Sequence, residues 1–213
     1  MNGAGSIFTG AGWPALFLLG AYHGINPGMG WLFAVALGMQ ERRRAALAWS
    51  LVPITLGHAL AIAVAIAVAG VLRMVVSLGH LRLIVAAALF AFGGYRFIRH
   101  RHPKGGGMRV GFRDLTLWSF LMASAHGAGL MVLPVLFGLS ASEHAGHLSG
   151  TENLSSASLA VGIHTAAYLV VTALVAAIIY EKVGLAVLRR AWVNMDLIWA
   201  GALLLTGLLT LMI

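Results

Sequence analysis

The chain has no cysteine, which excludes disulfides, thiol redox chemistry and thiolate metal ligands. Charge is also scarce: Asp, Glu, Lys and Arg make up 9% of its 213 residues, against roughly 25% in a soluble domain. Only six residues are acidic. None lies deep in an apolar run, and Asp196 is only about one helical turn inside the last of them. The chain therefore has no cysteine nucleophile and no buried carboxylate pair. The glycines at 105–107 lack the strand–helix setting of a phosphate loop. These absences predict that the protein is not an enzyme. Residues 1–12 contain no Lys or Arg, so the basic start of a signal peptide is missing and the first apolar run is expected to stay in the mature chain.

What is present is apolar: 60% of the residues are hydrophobic. Six apolar runs stand out, near 13–38, 46–70, 81–98, 115–138, 157–180 and 193–212. Each is long enough to span a bilayer as a helix. Pro14 suits a first helical turn, and Trp13, Trp49, Trp118 and Trp192 stand near run starts, where interfacial tryptophans belong. The net charge of +8 does not imply nucleic acid, because the basic residues sit in short loops rather than on one face. Of the 14, 12 follow the first, third and fifth runs, and only Arg73 and Arg82 fall on the other side. The expectation is an all-α membrane protein with six transmembrane helices, multi-pass in the cytoplasmic (inner) membrane, with both termini outside. The lipid bilayer is its first partner, and a homo-oligomer or a larger membrane complex stays open.

The stretch Gly20–Gly30, GAYHGINPGMG, organises the rest. It puts His23, Asn26 and Pro27 among glycines in the middle of the first run. Pro27 has no amide hydrogen and clashes with the preceding turn, so the helix should break at mid-depth and leave unpaired carbonyls around residues 22–26. Broken backbone beside a polar side chain at the midplane marks a site.

The two halves resemble each other. GAYHGINPGMGW at 20–31 pairs with ASAHGAGLMVLP at 123–134, PITLGHALAIAV at 53–64 with AVGIHTAAYLVV at 160–171, and RLIVAAALFAFGG at 82–94 with DLIWAGALLLTGL at 196–208. Three spans per repeat is an odd number, so the second half would be inverted: a 3+3 inverted repeat with the site at the repeat interface. The first repeat covers 1–98, a basic cytoplasmic linker 99–114, and the second repeat 115–213. The loop 139–156, with Glu143, His144, His147 and Glu152, reads as a solvated outer loop or a weak cation collector.

His23, His58, His126 and His164 lie inside the runs, two per half at matching places; the other five histidines lie in loops or at run ends. Four intramembrane imidazoles can ligate nickel, cobalt, copper or zinc, or can carry protons. Met29 and Met131 add thioethers suited to copper(I), or simply pack. With no acidic counter-charge, a dication would be held loosely, which suits a transported ion better than a tightly bound cofactor.

HGINPG, followed by a basic turn and then TLGHA, resembles the NicO nickel/cobalt transporter family of the LysE superfamily, to which the CcdA/DsbD-type membrane domains are related in architecture. The resemblance is specific over about 20–65. It implies a six-helix transporter core with His23, Asn26, Pro27 and Gly28 on the metal path and His58 beside it. Nickel and cobalt members often carry a second His or an acidic residue where this chain has Asn26 and Met29. The expected function is alternating-access transport of a small cation of nickel or cobalt type, with His23 and His126 as central ligands meeting across the repeat interface, His58 and His164 flanking them as second ligands or proton carriers, and Asn26, Met29 and Met131 as further ligands. Two alternatives are a haem- or metal-binding subunit of a redox complex and a LysE-like exporter of an amino acid or amine.

Overall fold

The computed structural model describes residues 3–98, 111–142, 150–183 and 195–212. All regular structure among them is helical, without a strand. Helix α1 is Gly3–Ile25, followed by a single 3-10 turn, Pro27–Met29, and α2, Trp31–Glu41. Then come α3 Arg44–Leu72, α4 Leu78–Ile98, α5 Phe112–Ala125 and α6 Ala128–Ser142. Helix α7, Gly150–Ile178, runs on into a π-helical turn, Ile179–Val183, and α8 is Met195–Met212. Every apolar run of the sequence carries helix.

Three helical segments are long and apolar enough to cross a membrane: Arg44–Leu72, Leu78–Tyr95 and Leu154–Lys182. A fourth is added if Phe112–Ala125 and Ala128–Phe137, bent by 57°, count as one span. The 193–212 run contributes the shorter apolar helix Ala200–Met212, and the first run is divided at its break. Pro14 lies in the interior of α1 rather than in its first turn, because helix continues back to Gly3; one missing backbone bond does not end it. The linker over 99–110 and the outer-loop residues 143–149 lie outside the described residues, and α5 starts at Phe112, with Asp114 accepting a hydrogen bond from the Gly111 amide at 3.0 Å.

The bundle is apolar on its outside. Along α3, Leu56, Leu60, Val64 and Val68 form an exposed stripe, while Ile54, His58, Ala61 and Ile62 on the other face are buried. A large apolar exterior around buried histidines inverts the usual soluble distribution and fits a lipid surround.

Glycines bring the helices close and fix their directions. Gly20 faces His164 and Ala167, and Gly24 faces Tyr168 and Thr172, so α1 and α7 run parallel. Gly57 faces Thr116, Ser119 and Phe120, and Gly129 faces Ala61 and Ala65, so α3 runs parallel to α5 and α6. Gly93 faces Ala200 and Leu204, and Gly207 faces Leu89 and Phe90, so α4 and α8 are antiparallel. Small residues at such crossings let backbones approach without relying on a hydrophobic drive. An exposed ion pair, Arg44 to Glu181 at 3.3 Å, joins the start of α3 to the turn after α7.

Candidate functional site

The break in the first run is built by local chemistry. Asn26 ends α1 in an extended conformation, and its side-chain oxygen accepts the Gly28 amide at 2.8 Å. Gly30 then takes φ +128°, a value L side chains rarely adopt, and lets α2 restart at Trp31. A second break occurs between α5 and α6, where Gly127 has φ +71°. A histidine stands at each break: His126 directly before Gly127 in one half, and His23 three residues before Asn26 in the other.

The carbonyls of His23, Gly24 and Ile25 at the first break are not open, contrary to the expectation from Pro27. The Ile25 carbonyl accepts Trp31 Nε1 at 2.9 Å, and the Gly24 carbonyl accepts the Thr172 hydroxyl at 3.4 Å. The His23 carbonyl accepts the Asn26 amide at 3.2 Å, and the Met29 carbonyl accepts the Tyr168 hydroxyl. A buried carbonyl without a donor costs about 1–3 kcal/mol, and the Asn26 amide together with neighbouring side chains closes this deficit.

His23 and His126 share one local geometry. His23 Nδ1 lies 2.7 Å from the Leu19 carbonyl, and His126 Nδ1 lies 2.7 Å from the Met122 carbonyl, each one turn back. A carbonyl only accepts, so Nδ1 carries the proton in both rings. In the neutral ring Nε2 then holds the lone pair. Anchoring the far nitrogen in this way is how proteins orient metal-binding imidazoles.

His23, His58 and His164 are fully buried and face one another. Their ring centroids are 5.0 Å apart for His23–His164 and 5.5 Å for both His23–His58 and His58–His164. Three imidazoles on one tetrahedral metal, with bonds of about 2.0–2.1 Å, would hold their centroids about 5 Å apart. His58 has no hydrogen-bond partner at either nitrogen. The Leu16 carbonyl faces the His164 ring but falls short of hydrogen-bond geometry. His126 stands beside the Pro27–Met29 turn, close to Gly28.

The spacing suits an ion, but the ring orientations do not. No group of three His, Asp or Glu among the described residues is arranged to hold a metal ion. The cause is visible in the rings. His58 and His164 stack with planes 5° apart, so their in-plane lone pairs do not converge. Of the other expected ligands, the Asn26 oxygen is engaged by Gly28, while Met29 and Met131 are buried in the apolar core.

Two residues here escape a reading by residue type. Tyr168 is fully buried, stacks face to face on His58 at 3.9 Å and 7°, and bonds to the break. It follows His164 by four residues, which puts both on one face of α7, and that spacing was its only sequence signal. Trp31 is buried and caps the end of α1. Neither a family model, a curated protein nor a solved structure matches the chain.

Proposed function

We propose that the chain is a six-span, 3+3 inverted-repeat transporter of the inner membrane, with both termini outside, that moves a small cation of nickel or cobalt type by alternating access. The observation that carries this reading is the cluster of three fully buried histidines from both halves, 5.0–5.5 Å apart, with the His58 nitrogens unpartnered. A protein that buries polar groups without partners needs a reason to do so. The matched anchoring of His23 and His126 supports related halves. The helix directions support inversion. Exchanging the halves maps the parallel pair of first and fifth runs onto the parallel pair of fourth and second, and returns the antiparallel third and sixth to themselves. The Arg44–Glu181 pair agrees with one basic end. Bonded through the cluster, the cargo would be substrate, held by neutral imidazole and released without a formal counter-charge.

The face of His58 is filled by Tyr168 at 3.9 Å, which favours an ion over a haem between histidine pairs. Glu41, Asp114 and Glu181 are all exposed, which favours a metal over an amino acid or amine needing a buried carboxylate partner from among them. The test is equilibrium dialysis of the purified chain against cobalt, with His23→Asn and His126→Asn beside it. Asparagine keeps a polar side chain but cannot replace imidazole as a ligand here. The parent should bind, more weakly as pH falls because protonated imidazole cannot ligate. Both variants should lose at least tenfold in affinity, and parent-like binding by both would end the metal reading.

A further inference from the structure

We propose that Tyr168 is a positioning residue that parks the His58 ring in a non-ligating orientation and couples its release to the Pro27–Met29 turn. This rests on the metal reading above and adds to it the step that links ligation to movement. An imidazole donates through a lone pair in its ring plane. His58 and His164 lie in planes 5° apart in a stacked arrangement, so one ion cannot meet both as they stand, and one ring must turn. Neither ring has a hydrogen bond to break, and His58 is the one whose face is stacked on a residue tied to the break. What holds it is the face of Tyr168, 3.9 Å away and 7° from parallel.

Tyr168 is not a passive wall. Its hydroxyl donates to the Met29 carbonyl, on the far side of the break in the first run. One turn further along α7, the Thr172 hydroxyl donates to the Gly24 carbonyl, on the near side. Helix α7 therefore pins both sides of the break, and Gly24 packs against the Tyr168 and Thr172 backbone to keep them close. When His58 turns towards an ion, it leaves the ring whose hydroxyl holds the turn. Binding and hinge release become one event.

The experiment uses the full chain in lipid nanodiscs and proteoliposomes with cobalt as the probe, measuring equilibrium affinity and saturated flux separately. Tyr168→Phe keeps the stack and removes the tie to Met29. It should leave affinity within about twofold while saturated flux falls at least tenfold. Tyr168→Leu removes the parking face, and affinity should rise about two- to tenfold, the range of an aromatic pair. A merely structural role would lower bound cobalt and flux together, in proportion to folded protein, and would overturn the proposal. So would parent-like flux in Tyr168→Phe, whether or not Tyr168→Leu folds. Unchanged or weakened affinity in a folded Tyr168→Leu would remove the parking step. If the parent binds and moves cobalt but Tyr168→Phe behaves like it, this inference alone fails. A parent that does neither ends the metal reading with it.

Discussion

Replacing Gly20 by alanine tests whether the α1–α7 contact sets the histidine spacing. The added Cβ would stand inside contact distance of the His164 carbonyl oxygen and 3.0 Å from both the His164 carbonyl carbon and the Ala167 Cβ. Ordinary carbon contacts are about 3.5–4.0 Å, and the closer approach to the carbonyl oxygen needs still more relief, so the helices must separate by roughly 1 Å. Two effects oppose each other. Alanine is a better helix former than glycine by about 1 kcal/mol, while overpacking a tight contact costs about 1–3 kcal/mol. Gly162→Ala separates them, because nothing lies within 4 Å of a Cβ at that position of α7 and only the propensity gain applies. Gly20→Ala should therefore unfold about 1–3 kcal/mol more easily than Gly162→Ala. The backbone that moves is that of His164, and metal–nitrogen distances tolerate about 0.2 Å, so cobalt affinity should fall at least tenfold in Gly20→Ala alone. The assays are denaturant unfolding in nanodiscs and equilibrium dialysis. If Gly20→Ala matches Gly162→Ala in both, the close crossing does not set the site.

Trp31→Phe removes the donor to the Ile25 carbonyl and should cost about 1–3 kcal/mol, the penalty for an orphaned buried acceptor, read by the same unfolding assay. Cysteine labelling at Met108 and Gly146 should reach Gly146→Cys from outside intact cells and leave Met108→Cys unlabelled; external labelling of Met108→Cys would overturn the six-span topology. Glu181→Gln should change stability by less than about 1 kcal/mol, because both partners of the Arg44 ion pair are substantially exposed, and a larger loss in that assay would mean the pair holds α3 to α7.

Much of the architecture was legible in the order of residues because it depends on local chemistry. Apolar length marked where helix would form, and Pro27 among glycines marked the first break. His23, His58 and His164 were singled out simply by being histidines inside apolar runs. The second break, at Gly127, was present in the His-Gly match between the halves but has no proline to announce it. What the sequence could not reveal is contact between distant residues. Tyr168 reaches Met29 across 139 positions and Thr172 reaches Gly24 across 148, so open carbonyls were expected where the fold supplies donors. Ring orientation is also a tertiary property: four histidines suggested ligands, while the stack of Tyr168 on His58 decides which way a ligand points.

Whether the buried histidine cluster carries the ion is read from cobalt flux into proteoliposomes by the parent chain and by His164→Asn. His164 lies 5.0 Å from His23 at the closest approach of the cluster, and asparagine cannot supply an imidazole. The parent should show saturable flux, and a variant that inserts and unfolds like it should lose at least tenfold. Equal flux from both, or none from the parent, would contradict transport through the histidine cluster.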